Sequence, residues 1–281
     1  MTPAATPSNV REALAQSGLA PLDARVLLAH VLGVDRAWLV AHGHDALSGD
    51  QRAAFEALAT RRRAGEPVAY LTGAREFWGL PLAVDPSVLI PRPETETLVE
   101  HALNALRATR EPSVLDLGTG SGAVALALAH ERRDASVDAA DVSPRALALA
   151  RRNADRLKLA NVRFIQSDWY AAVPPARAYD LIASNPPYVR AGDRHLSEGD
   201  VRFEPSAALR AGADGLAALR IVVGSARAHL APGATLIVEH GFDQGPAVRA
   251  LMTQAGLVAI ATHRDLAGHD RISIANAPDS R

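Results

Sequence analysis

The segment Val114-Leu115-Asp116-Leu117-Gly118-Thr119-Gly120-Ser121-Gly122 constrains this chain more than any other. A β-branched and aliphatic run enters a glycine-rich turn and leaves it into an alanine- and leucine-rich stretch over 123–130. That order spells strand, turn and helix in immediate succession. Glycines at such a turn let the backbone approach a ligand, and the helix behind them offers unpaired N–H groups. The alternation continues downstream. The spacing predicts strands over 113–117, 136–141, 162–166, 179–184 and 234–239, with helices near 122–131, 144–157, 213–230 and 243–255. Two further strands, 258–261 and 272–275, flank the turn Gly268-His269-Asp270-Arg271. The fold class is α/β, with a doubly wound, mostly parallel sheet.

The glycine turn by itself leaves two cofactor classes open. Gly118, Gly120 and Ala123 also satisfy the dinucleotide fingerprint, and Asp141 stands about twenty residues on, where an acidic group holds ribose hydroxyls in either class. The tetrapeptide Asn185-Pro186-Pro187-Tyr188 separates them. It follows the apolar run Tyr179-Asp180-Leu181-Ile182-Ala183-Ser184, so it falls at the carboxyl end of a strand, where open α/β sheets bind ligands. A plain Asn-Pro turn has the same look. The chemistry on offer, though, suits a planar nitrogen whose lone pair is delocalised. Asn185 and the Pro186 carbonyl can accept two N–H hydrogens, and Tyr188 can stack on the flat group. Hydride transfer has no use for such a set, so S-adenosylmethionine is the expected cofactor.

Composition narrows the rest. With 281 residues the chain is long enough for two domains, and 48% hydrophobic content supports sizeable cores. A formal net charge of −1 gives no global field toward nucleic acid or membrane. The absence of cysteine excludes disulfides, thiolate metal sites and a cysteine nucleophile. Met1-Thr2-Pro3-Ala4-Ala5-Thr6-Pro7 has neither the basic flank nor the apolar core of a signal peptide, and a cytoplasmic location is expected. Residues 1–65 read as a small helical bundle, 66–93 as a hairpin linker and 94–281 as the catalytic domain. In the linker, Val68 to Gly73 and Phe77 to Val84 have the β-branched and aromatic texture of two strands. Arg61-Arg62-Arg63 reads as a solvated helix end. His42 and His44 lack further clustered ligands, so no metal is expected.

Other candidates follow the remaining strands. Asp168-Trp169-Tyr170 closes the third, where Asp168 can accept from an adenine amino group and Trp169 can pack on the ring. Asp116 is either an acidic neighbour of a sulfonium or an ordinary strand-end residue. The long loop over 193–205 follows Tyr188, and long loops at a ligand edge are often functional. No hydrolase triad order or phosphate-loop pattern is present.

In order, the chain carries G-E-P-V-A-Y-L-T-G-x-R-E-F-W, I-P-R-P-E-T-E, V-L-D-L-G-T-G-S-G, S-D-W, S-N-P-P-Y and G-D-V-R-F-E-P. Together these resemble the HemK/PrmC family of peptide-chain release factor glutamine methyltransferases, over about residues 8 to 276. The resemblance implies a helical amino-terminal domain for substrate docking, a hairpin linker and a seven-stranded methyltransferase domain whose last strand is antiparallel. It implies methyl transfer from S-adenosylmethionine to the glutamine amide in the Gly-Gly-Gln motif of release factors. By that resemblance Gly118, Thr119, Gly120, Ser121, Gly122, Asp141 and Trp169 line the cofactor, with Asn185 shared. Asn185, Pro186, Pro187 and Tyr188 receive the glutamine, and Asn185, Pro186 and Tyr188 carry catalysis. The expected partner is a release factor as protein substrate, with no direct nucleic-acid or membrane partner, and the enzyme is expected to be a monomer. An adenine-directed nucleic-acid methyltransferase, a non-catalytic adaptor and a dehydrogenase are the rival readings.

Overall fold

Local capping sets the amino-terminal helices of the chain, here taken from a computed structural model that describes residues 8–174 and 178–279. The Met1 to Pro7 segment lies outside the described residues. Asn9 accepts from the Glu12 N–H at 2.9 Å to start α1 (Val10–Gln16). Pro21 opens α2 (Pro21–Leu32), which stops at Gly33 in the left-handed conformation. Asp35 caps α3 (Arg36–Ala41), and Ser48 with Gln51 forms a capping box on α4 (Gly49–Arg63). A short α5 covers Val68–Thr72. Val10, Leu27, Leu28, Leu39, Phe55 and Leu71 make the core of these helices.

The chain divides into two units, one running to Ala74 and including Glu198–Phe203, the other holding Arg75–Ser197 and Glu204–Arg281. Within the first unit Arg62 donates to Asp23 at 2.8 Å and to Asp200 at 2.7 Å, while Arg202 donates to the Ala64 carbonyl at 2.6 Å. Arg62 is therefore an ion-paired bridge and not the solvated helix end its sequence context suggests. Val68–Thr72 also departs from the strand expected there. Tyr70 and Leu71 bury their side chains, and Gly73 at φ +68° closes the turn as a helix cap. Burial of that pair overrides the β texture of the segment.

The hairpin is consequently shorter, with β1 (Ala74–Phe77) and β2 (Leu80–Ala83) joined through Trp78 and Gly79. Both turn residues have positive φ, 53° and 71°, as a two-residue hairpin loop demands. A short 3₁₀ turn, Pro93–Thr95, then leads into α6 (Glu96–Ala105).

The second unit alternates as its apolar runs require. In chain order come β3 (Ser113–Leu117), α7 (Ala123–Glu131), β4 (Ser136–Asp141), α8 (Pro144–Leu157), β5 (Val162–Gln166) and β6 (Tyr179–Ser184). After the loop come α9 (Ala217–Ala226), β7 (Leu230–Glu239), α10 (Gly245–Gln254), β8 (Val258–Arg264) and β9 (Asp270–Asn276). The sheet order is β5-β4-β3-β6-β7-β9-β8, with the last strand inserted antiparallel between β7 and β8. Buried strands covered on both faces need apolar residues at successive positions. Val114 and Leu115 accordingly point into separate cores, one holding Leu98, Leu126 and Leu128, the other Leu219, Val222 and Val248.

Candidate active site

Strand register determines what meets at the carboxyl edge of the sheet. Leu117 pairs with Ala140 on one side and with Ser184 on the other, so β3, β4 and β6 end level. The Ala140 carbonyl accepts from the Gly118 and Thr119 N–H groups at 2.8 and 3.0 Å. The Asp141 carbonyl accepts from the Ser167 N–H at 3.0 Å, which draws in the end of β5. Strand order reverses at β3, the place where sheets of this kind open a crevice. A cleft of about 280 Å³ lies there, lined by Gly118, Thr119, Gly120, Ser121, Asp141, Asp168, Trp169, Asn185 and Pro187 among others.

The glycine turn is held from behind by two carboxylates. Asp141 accepts from the Gly120 and Ser143 N–H groups, both at 2.9 Å. Burial pushes its pKa up, against those same backbone bonds. Asp116 is 2% exposed and accepts from the Thr119 hydroxyl at 2.6 Å and the Ala125 N–H at 3.2 Å. Its pKa is pushed up to about 7, chiefly by burial. Trp169 sits at φ +50° with its carbonyl bonded to Ser167 Oγ at 2.7 Å. A Cβ added to Gly118 would lie 3.8 Å from the Trp169 ring. Glycine backbone, an indole, Val142 and a backbone-anchored carboxylate around one cleft fit an adenosine-bearing cofactor.

Three expected residues sit differently from the rest. Gly122 does not line the cleft; it is the N-cap of α7 at φ +87°, where a Cβ would meet Leu126 at 2.9 Å. Pro186 and Tyr188 are not among the residues that line the cleft, and Pro187 is. Tyr188 donates its hydroxyl to Glu239 at 3.2 Å, and its carbonyl accepts from Gln244 at 3.1 Å. Burial raises the Tyr188 pKa.

The structure adds residues that the motifs left unassigned. Thr95 donates to Glu239 at 2.7 Å and accepts from Asn185 Nδ2 at 3.0 Å. Glu239 is 1% exposed at the end of β7, and burial pushes its pKa up to about 7. Glu204 accepts from the Ile90 N–H at 3.1 Å and from Arg92, so the end of the long loop is tied beside Pro91 and Arg92 of the cleft wall. A signal for Glu239 existed in the sequence, because it is a carboxylate ending an apolar run. Thr95 carried none.

Comparison with known proteins bears on the fold and the family. Residues 8–73 match the model of the PrmC N-terminal domain, and residues 94–208 match the methyltransferase small domain. Solved structures share the fold, among them a methyltransferase from Pyrococcus furiosus (TM-score 0.51, 20% identity, 71% of this chain and 90% of that one). A T. thermophilus 16S rRNA methyltransferase in complex with AdoMet and guanosine is another (TM-score 0.55, 21% identity, 73% of this chain and 49% of that one). Curated relatives are much nearer in sequence. The release factor glutamine methyltransferase of Bordetella pertussis is 53% identical over 94% of this chain and 97% of its own length. That of Escherichia coli is 46% identical over 94% of this chain and 96% of its own. Identity near one half across almost the whole of both chains makes this protein a member of the release factor glutamine methyltransferase family.

Proposed function

We infer that this chain transfers a methyl group from S-adenosylmethionine to the side-chain amide nitrogen of a glutamine in peptide-chain release factors, the glutamine of their Gly-Gly-Gln motif. One observation carries the reading to residues: the glycine turn, Asp141, Trp169 and Asn185 border a single cleft in a chain that belongs to this family. Gly118 to Ser121, Asp141 and Trp169 hold the cofactor. Asn185, Pro186, Pro187 and Tyr188 receive the amide.

An amide nitrogen is a weak nucleophile because its lone pair is shared with the carbonyl. When bound, S-adenosylmethionine supplies a methyl on positively charged sulfur; the nitrogen takes that methyl, the sulfur keeps the bonding electron pair and the nitrogen gives up one proton to solvent. The protein's part is orientation. Asn185 Oδ1 and the Pro186 carbonyl accept the two N–H hydrogens and aim the lone pair along the approach line. A well-held geometry of this kind is worth roughly 7–11 kcal/mol of barrier in favourable cases. Two acceptors select an amide and reject a carboxylate, which has no hydrogen to give.

Action as a monomer belongs to the same reading. Among the described residues no helix is long and apolar enough to cross a membrane, and release factors as substrates support a cytoplasmic location. The helical unit supports a docking role, because one glutamine side chain cannot identify a protein and specific interfaces usually bury about 1,200–2,000 Å².

The test is incubation with labelled S-adenosylmethionine and either intact release factor or DNA, followed by mass mapping. Label on the glutamine of the release factor is expected, and label on adenine in DNA overturns the reading. Asn185→Ala should lose turnover by orders of magnitude while cofactor affinity changes far less. A variant with near wild-type turnover would sink the role given to Asn185.

A further inference from the structure

A carboxamide is ambiguous: one edge accepts hydrogen bonds, the other donates, and a half-turn exchanges them. For Asn185 that half-turn decides whether an incoming amide meets an acceptor or a donor. Thr95 and Glu239 remove the ambiguity. Thr95 has one hydroxyl proton and donates it to Glu239 Oε2 at 2.7 Å. What Thr95 offers Asn185 is therefore a lone pair, and Asn185 Nδ2 donates to it at 3.0 Å. Turned over, Asn185 would set Oδ1 against that same lone pair. Asn185 Oδ1 receives no hydrogen bond from the described residues, and Asn185 lines the cleft.

Glu239 anchors the arrangement at both ends. Its ionised form only accepts, and its second oxygen takes the Tyr188 hydroxyl at 3.2 Å. Thr95 and Glu239 are 4% and 1% exposed, so water does not compete for these bonds. A buried carboxylate is costly to keep, and replacing it with apolar atoms often leaves a fold as stable or more so. Both hydrogen bonds of Glu239 run to the residues around Asn185 and Tyr188, with Arg271 as its neighbouring positive charge.

We propose that Thr95 and Glu239 are positioning residues that lock the Asn185 carboxamide with Oδ1 toward the substrate, so that the site accepts an amide and turns away a carboxylate. The proposal rests on the glutamine-methylating reading above.

Thr95→Val keeps the shape and removes the hydroxyl; Thr95→Ser keeps the hydroxyl. Methylation of intact release factor by Thr95→Val should fall on the order of ten- to a hundredfold in kcat, the equivalent of one hydrogen bond at a charged network. Thr95→Ser should stay within about threefold of wild type, and calorimetry should find S-adenosylmethionine affinity alike in all three, within the same factor. A release factor with glutamate in place of the target glutamine provides the readout that a merely structural role would not move. Wild type should prefer the glutamine form, and Thr95→Val should narrow that binding preference roughly tenfold, because a freed Asn185 can turn its N–H₂ toward a carboxylate. Added to Asn185→Ala, Thr95→Val should cost nothing further in turnover. If Thr95→Val does not fold, Thr95→Ala is measured in the same way. Wild-type kcat and wild-type preference in a folded hydroxyl-less variant overturn the proposal. Failure of the native chain itself to methylate the glutamine overturns the functional reading instead, so the two outcomes are distinct.

Discussion

The carboxylate of Asp141 accepts from Gly120 on one oxygen and Ser143 on the other, so it joins the glycine turn to the start of α8 while bordering the cleft. Asp141→Ala should weaken S-adenosylmethionine binding about ten- to a hundredfold, the worth of roughly 1.5–3 kcal/mol for a hydrogen bond to a charged group. Titration calorimetry reads this directly, and unchanged affinity removes Asp141 from the cofactor site. Glu239 makes a different prediction, in pH. It faces Arg271, Tyr188, Thr95 and Glu94, and burial lifts its folded pKa to about 7. A raised carboxylate pKa means the folded state holds the proton more tightly than the unfolded one. The stability this gives is complete below about pH 4.3 and is lost as pH rises through about 7. Urea denaturation at pH 5 and pH 8 should show a smaller loss for Glu239→Gln than for wild type. Equal losses would mean that Glu239 does not titrate in this range.

At the level of elements, the glycine turn between β3 and α7 has unequal positions. Gly120 is at φ +56° with open space where a Cβ would go, whereas Gly122 is at φ +87° with Leu126 at 2.9 Å and Ala150 at 3.2 Å from that point. Gly120→Ala should therefore cost only the left-handed backbone, about 1–2 kcal/mol. Gly122→Ala adds a collision with a packed helix and should cost more, about 3 kcal/mol or above. Thermal denaturation of the pair tests the order, and Gly120→Ala as the more damaging change refutes it. Elements differ too in how well the chain announces them. Four of the five parallel strands, β3 to β6, begin and end where expected, and in β3, β4 and β6 burial on both faces asks for apolar residues throughout, whereas β7 begins at Leu230, four residues before its apolar run. Val68–Thr72 misleads, since five residues are too few for a period to show and packing of Tyr70 and Leu71 decides the outcome.

For the molecule as a whole, the proposed docking role rests on the division into two units. Asp200 and Arg202, on the loop that follows the Asn185 to Tyr188 motif, are held by Arg62 and the Ala64 carbonyl of the helical unit. Deleting residues 1 to about 65 removes both holds. We predict that the shortened chain keeps most of its S-adenosylmethionine affinity, since every residue proposed to face the cofactor is in the other unit. Methylation of intact release factor should fall steeply, mainly through KM. A short Gly-Gly-Gln peptide should be a similarly poor substrate for both chains. Should the shortened enzyme fold and methylate the intact factor as well as the full chain, the docking role is wrong.

The sequence by itself determined the alternating fold, the glycine turn, Asp141, Trp169 and the Asn185 to Tyr188 motif. The physical reason is that each is written in contiguous residues: an apolar run makes the strand, and the ligand group follows where the strand stops. Only the tertiary structure decided that β9 enters between β7 and β8, that 198–203 belongs with the helices and that Thr95 and Glu239 stand behind Asn185. Thr95 is 90 residues from Asn185 and 144 from Glu239. Hydrogen bonds across such distances leave no period or spacing in the chain, because folding, and not proximity in sequence, brings their partners within 3 Å.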